Sequence, residues 1–192
     1  MARFVYMTSE QLALHPVPHK RTELVRGRLV VREPAKRRHG AVAARVLTAI
    51  GTYLETNPIG EVYGAETGFT LFRHPDTVRA PDAAYLRTDR IPTEECVGFD
   101  EVAPDLVVEV LSPGDRTRMV QAKVADWLRA GTRLVWLIDP RRRAGAVHRA
   151  DGSVTVLTEG DAFHGEDVLP GFSVSLQRLL ARPGGLRDSP DG

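Results

Sequence analysis

The stretch Pro104–Pro113, PDLVVEVLSP, constrains this chain more than any other. Leu106 to Leu111 is apolar at every position but one. A short apolar run of this kind, bounded by prolines, predicts a strand covered on both faces in the middle of a sheet. The exception is Glu109. A carboxylate buried there is costly unless a cation or hydrogen bonds compensate it. Side chains alternate along a strand, so Asp105, Val107, Glu109 and Leu111 face one way and Leu106, Val108 and Val110 the other. A charge tolerated in such a place has a partner or a use.

Around this strand the pattern is mixed. Met7–Leu14 reads as a short helix, capped by Thr8 or Ser9 and ended by His15-Pro16. Thr22–Val25 and Arg28–Arg32 form a hairpin about Arg26-Gly27, with Glu23 on its first strand. His39–Thr56 repeats apolar residues at helical spacing and follows the basic loop Pro34–Arg38. Strands are expected at Glu61–Ala65, at Gly68–Arg73 and over Val78–Leu86, the last interrupted by Pro81. Asp89–Glu101 is a loop. After the central strand, Ser112–Asp115 turns into a helix capped by Asp115 or Thr117 and stopped at Gly131. Leu134–Ile138 is a second buried strand, which makes Asp105–Ile138 a parallel strand–helix–strand unit. Ala146–Arg149, Val154–Leu157, Phe163–Leu169 and Phe172–Leu176 extend the fold as antiparallel strands, and Leu176–Leu180 is a short helix.

The 192 residues suit one domain, expected over 1–181, with a disordered tail over 182–192. With 42% hydrophobic and 27% charged residues, neither a disordered chain nor a membrane protein is indicated. A net charge of +1 excludes a global basic field that would recruit nucleic acid, though not local patches. The lone Cys96 excludes an internal disulfide and a cysteine-based zinc site. Met1–Val17 has no secretory pattern and no long apolar run occurs, so the expected location is cytoplasmic, with no membrane partner.

A second carboxylate, Asp82 in Ala80-Pro81-Asp82, also lies on a predicted strand. If the two strands are neighbours, Asp82 and Glu109 converge. Two converging carboxylates suit a hard cation such as Mg²⁺, which takes few protein ligands and keeps several waters. Such a cation polarises a phosphoryl oxygen and acidifies a bound water. Lys123 is the third member. At ~100° per residue from Val120 it falls near roughly −60°, on the border of the buried helix stripe. From there its ammonium can reach the strand ends and offset developing negative charge.

ELVRGRLV (Glu23–Val30), His39-Gly40 with its helix, RAPDAAYL (Arg79–Leu86), APDLVVEVLSP (Ala103–Pro113) and KVADWLRAGTRLVWLIDP (Lys123–Pro140) occur in this order. Together with LPGFSVSL (Leu169–Leu176), the set resembles the Uma-type restriction endonucleases of the PD-(D/E)XK nuclease superfamily. The resemblance implies a mixed α+β fold of the restriction endonuclease type, a mixed sheet flanked by helices with antiparallel N- and C-terminal strand extensions. It implies that Asp82 matches the first acidic position and Glu109 the second, binding Mg²⁺ or Mn²⁺ with the Val110 carbonyl as a further candidate. Leu111 departs from the superfamily pattern, which has lysine there. The resembling family supplies the lysine from the next helix, where Lys123 stands. Glu23 and His39 match further positions beside the site. The implied activity is metal-dependent endonucleolytic hydrolysis of DNA. Duplex cleavage needs two active sites or two visits, which is compatible with a homodimer. The alternatives are a non-cleaving nucleic-acid-binding or regulatory module of the same fold, and a metal enzyme with another substrate.

Each residue has a plainer reading. Asp82 suits a turn after Pro81. Lys123 suits a helix surface where its stem lies on apolar neighbours. Glu23 suits an ion pair with Arg28, and His39 suits a helix start. Ser112 lacks a nucleophile elbow and reads as a cap. Lys36–Arg38 and Arg141–Arg143 suit solvated loops or phosphate contacts. Trp127 and Trp136 suit the core.

Overall fold

The strand expected at the centre is at the centre. A computed structural model describes residues 6–94, 96 and 98–182. The chain runs α1 (Ser9–Leu14), β1 (Arg21–Val25), β2 (Arg28–Arg32), α2 (Arg37–Thr56), β3 (Gly60–Gly64), β4 (Phe69–Phe72), β5 (Thr77–Arg79) and β6 (Ala83–Arg87). It continues through β7 (Leu106–Val110), α3 (Thr117–Ala130), β8 (Leu134–Asp139), β9 (Ala144–Arg149), β10 (Val154–Leu157), β11 (Ala162–His164), β12 (Ser173–Ser175) and α4 (Leu176–Leu180). All five residues of β7 are buried. The main sheet has the order β10-β9-β8-β7-β6-β3. β7 is parallel to β8 and antiparallel to β6.

The two faces of this sheet carry two cores, as the alternation requires. Leu106, Val108 and Val110 pack with Val42, Val46 and Ile50 of α2 and Leu176 and Leu180 of α4. Val107 packs on the other face, with Val124 and Trp127 of α3 and Phe69 of β4. α3 returns the chain to β8 and stops at Gly131, whose φ of 107° is a left-handed cap that glycine adopts without strain. No helix among the described residues is long and apolar enough to cross a membrane.

The expected single strand over Val78–Leu86 is two strands in two sheets. β5 belongs to a four-stranded sheet of order β2-β1-β5-β4, while β6 belongs to the main sheet. Pro81 has no N–H for a ladder, and the chain changes sheets there. This crossing brings the N-terminal hairpin against the end of β7, because β1 pairs with β5 at Leu24–Val78.

Smaller expectations are also corrected. α2 starts at Arg37, so Arg37 and Arg38 are helical rather than loop. α3 has no side-chain cap. Asp115 instead accepts from the Ser112 N–H and from Arg32, so Ser112 is the capped residue rather than the cap. Thr8 closes a reciprocal capping box with Gln11 on α1. The strand expected over Phe163–Leu169 ends at His164, since Val168 and Leu169 both donate back to the Gly165 carbonyl. The expectation for the tail falls, from residue 183 on, outside the described residues.

Candidate active site

The end of the β6–β7 ladder sets the geometry. Ala83 pairs with Val108, and the Asp82 N–H still donates to the Val108 carbonyl over 3.1 Å. Asp82 therefore stands opposite Glu109. The next rung cannot form, because residue 81 is proline. The Asp82 side chain takes its place: Val110 N–H donates to Asp82 Oδ2 at 2.7 Å. Beyond it, Leu111 N–H bonds to Ile138 of β8. Asp82 and Glu109 line one cleft of about 530 Å³, together with Glu23, His39 and Lys123.

Lys123 reaches back from α3 to this point. Its Nζ lies 2.8 Å from the Glu109 carboxylate, 2.9 Å from Glu23 Oε1 and 3.1 Å from the Ala80 carbonyl. All three ammonium protons are thus directed. One turn along the same helix face, Trp127 Nε1 donates to Glu109 Oε1 at 3.0 Å. Trp127 is fully buried as expected, but it also holds the carboxylate.

Glu23 comes from β1. One of its oxygens accepts from the Ala80 N–H at 3.1 Å and the other from Arg79 Nη1 at 3.0 Å. Arg79 Nε donates to Asp126 Oδ2 of α3 at 3.2 Å. A buried chain of charges therefore runs Asp126–Arg79–Glu23–Lys123–Glu109, joining β5, β1, α3 and β7. Asp82 has its own cations: Arg21 Nη1 at 2.9 Å from Oδ1, and His39 Nε2 at 3.0 Å from Oδ2.

The five residues singled out in the sequence, Glu23, His39, Asp82, Glu109 and Lys123, all meet in this cleft. Arg21, Arg79 and Asp126 were not singled out. Asp126 had a signal, since it lies three residues after Lys123 on the same helix face. Arg79 opens the RAPDAAYL stretch, but its contacts and those of Arg21 depend on the sheet crossing at Pro81.

The electrostatics are uneven. Burial pushes Glu23 up, but the charges of Lys123 and Arg79 outweigh it and hold the carboxyl at about 2. Burial likewise opposes ionisation of Asp82, yet His39 and Arg21 bring it to about 2. Glu109 goes the other way. Burial pushes it up to about 7, Lys123 offsets only part of that, and the neighbouring Asp82 and Glu23 charges add to the rise. Lys123 stays charged: burial opposes it, but Glu109 and Glu23 raise its pKa.

These residues fit a hard divalent cation. The donors are carboxylate oxygens from adjacent strands on one cleft. Among the described residues Asp82 Oδ1 takes one hydrogen bond, from Arg21, which leaves it acceptor capacity. Burial, with the Asp82 and Glu23 charges adding to it, holds the Glu109 carboxyl up, and a cation beside it would favour the ionised form. No group of three or more His, Cys, Asp or Glu side chains is arranged for a metal among the described residues. A two-carboxylate set matches Mg²⁺ better than a zinc cage.

A family model described as "Uma2: Putative restriction endonuclease" matches residues 9–177. Among solved structures, a chain from Anabaena variabilis ATCC 29413, described as a "putative nuclease belonging to DUF820", matches with a TM-score of 0.78 and 21% identity. The match covers 91% of this chain and 97% of that chain, and at this identity it shows a shared fold. No curated protein matches. The family model runs from α1 into α4, across every element that builds the cleft, and the chain belongs to the Uma2 family.

Proposed function

We propose that this chain is a metal-dependent endonuclease of the PD-(D/E)XK type that hydrolyses DNA phosphodiester bonds. The observation that carries this reading is the meeting of Lys123 with Glu109, opposite Asp82. Asp82 and Glu109 would hold Mg²⁺ or Mn²⁺, which when bound stabilises charge on a phosphoryl oxygen and acidifies water. Lys123 would take the role of the superfamily's strand lysine, its ammonium lying 2.8 Å from the Glu109 carboxylate. Leu111 is apolar, and the helix lends the charge instead.

The surrounding residues act on position. Glu23 and the Ala80 carbonyl fix the Lys123 ammonium beside Glu109, so a preorganised positive charge faces a phosphate bound over the two carboxylates. Arg79 and the Ala80 N–H fix Glu23 in turn. Trp127 orients Glu109. Arg21 and His39 keep Asp82 ionised. A homodimer would supply a site for each strand of a duplex.

A second reading has two observations in its favour. The site's own cations already pair with its carboxylates, and the chain carries only +1 net charge. In that reading the fold binds nucleic acid without cutting it. Incubation of plasmid and single-stranded DNA with Mg²⁺, Mn²⁺ or chelator, beside Glu109→Ala, separates the two. Cutting that needs the metal and Glu109 supports the hydrolase. Cutting that survives Glu109→Ala, or none under any condition, removes it.

A further inference from the structure

The two basic runs of the sequence, Lys36–Arg38 and Arg141–Arg143, divide in the structure. Arg38 donates to the Leu180 carbonyl at 2.8 Å, and Arg143 pairs with Glu159. Lys36, Arg37 and Arg141 are exposed, and so are Arg116 and Arg118. These five side chains make no hydrogen bond or ion pair among the described residues. Of the other lysines and arginines among the described residues, all but Arg26 and Arg178 are engaged. The acids on the same connections are engaged too. Glu33 holds Lys20, Asp115 holds Arg32, and Asp139 accepts from the N–H groups of Arg141 and Arg142.

Topology gathers the five at one end of the fold. β7 and β8 are parallel, with Val110 beside Ile138. Arg116 and Arg118 start α3 after the end of β7, and Arg141 follows the end of β8. α2 begins at this end as well, since its His39 lies 3.0 Å from Asp82, and Lys36 lines the cleft. Both helices begin against electrostatic preference. The positive end of a helix dipole favours acids in the first turn. α2 and α3 have no acid there and no side-chain cap. Cations stand in their place, Lys36 and Arg116 at the N-caps with Arg37 and Arg118 just inside. Phosphate oxygens satisfy both the first-turn N–H groups and the cations. A single anion would suit one helix start. Cations on three separate segments suit a polyanion, which draws its affinity from the phosphates they neutralise.

We infer that Lys36, Arg37, Arg116, Arg118 and Arg141 form one sequence-independent grip for the phosphate backbone of DNA, at the end of the sheet that carries the cleft. This rests on the DNA reading and assigns the surface that holds the substrate. The grip needs no metal, so binding of a labelled blunt duplex is followed by anisotropy in chelator, across a salt series. Five neutralised phosphates give log affinity against log salt a slope of about −4.5, a loss of about 500-fold between about 50 and 200 mM. Lys36→Gln with Arg37→Gln should make the slope shallower by about 1.8, as should Arg116→Gln with Arg118→Gln, and Arg141→Gln by about 0.9. Arg26 stands beyond the far end of β1 from Arg21, and Arg26→Gln should leave the slope unchanged. Four of the five changes remove cations from helix starts, so thermal melts of these variants should hold or rise. A slope as steep in the fivefold variant as in the unaltered protein overturns the inference, and so does an equal effect of Arg26→Gln. Vesicles rich in phosphatidylserine serve as the rival polyanion, and tighter binding to them than to duplex at the same salt removes DNA as the partner. Cutting is followed separately in Mn²⁺. A slope set by these residues with no cutting upholds the grip and removes the hydrolase reading. Cutting that needs Glu109, with a slope indifferent to the five, keeps the hydrolase and removes the grip.

Discussion

Lys123 on α3 donates to Glu109 on β7 across 2.8 Å, and the same ammonium is shared with Glu23 on β1 at 2.9 Å. One helix residue thereby neutralises carboxylates from two sheets. Removing it leaves both buried without that cation. Lys123→Met is expected to lower stability by about 3–5 kcal/mol, as measured by urea denaturation. Adding Glu109→Gln to it should recover part of the loss, because the remaining Glu23 still has Arg79. A double variant no more stable than Lys123→Met would show that the coupling is absent.

Arg79 carries a similar duty. It joins Glu23 and Asp126, and all three are buried. Arg79→Met is expected to cost about 3–5 kcal/mol. Arg79→Lys should restore little of it, because an ammonium cannot reproduce a fork held by two carboxylates. Chemical denaturation of the two variants beside the unaltered protein checks this, and full rescue by lysine would contradict it.

How the site could be read in the sequence follows from which contacts are local. Glu109 betrays itself as the one charge in an apolar strand. Lys123 follows from its angle on a single helix, and the parallel β7–α3–β8 unit follows from consecutive elements. Arg21, Arg79 and the partners of Glu23 depend on β1 and β5 meeting in a second sheet. That meeting is set by the crossing at Pro81, which the sequence pattern renders as one interrupted strand. Asp82 is legible as the second carboxylate, but its place opposite Glu109 and its acceptance of the Val110 N–H depend on where the β6–β7 ladder ends.

The pH response of the metal-free protein has two limbs. Glu109 is held at about 7 in the folded protein against 4.5 for the free side chain. The folded state therefore keeps a proton that the unfolded chain has lost, and this group's contribution to stability declines as pH rises from 4.5 to 7. Glu23 and Asp82 are held at about 2. Their contribution is present above the unfolded carboxylate range and is lost as pH falls toward 2. Thermal melts across pH 3–8 are expected to peak between these limbs, and Glu109→Gln should flatten the upper one. An unchanged upper limb in that variant would assign it to another group.

Cation binding should follow the same proton. A divalent ion at Asp82 and Glu109 requires Glu109 ionised, so Mn²⁺ affinity is expected to rise with pH up to about 7 and then level off. Calorimetry in buffers of different ionisation enthalpy would register proton release at pH 6 and little at pH 8. Asp82→Asn should abolish the binding. Affinity that ignores both pH and Asp82 would place the ion elsewhere.

The most direct measurement is a single-turnover double-mutant cycle on a labelled oligonucleotide in Mn²⁺, using Lys123→Met, Glu109→Gln and the pair together. Each single change is expected to slow cleavage by about 10²–10³-fold, as for loss of a preorganised charge in a catalytic site. The double variant should be little slower than the slower single, because the two groups act as a unit. A Lys123→Met rate within about threefold of the unaltered protein, with Glu109→Gln inactive, would contradict the claim that the helix lysine serves the strand carboxylate.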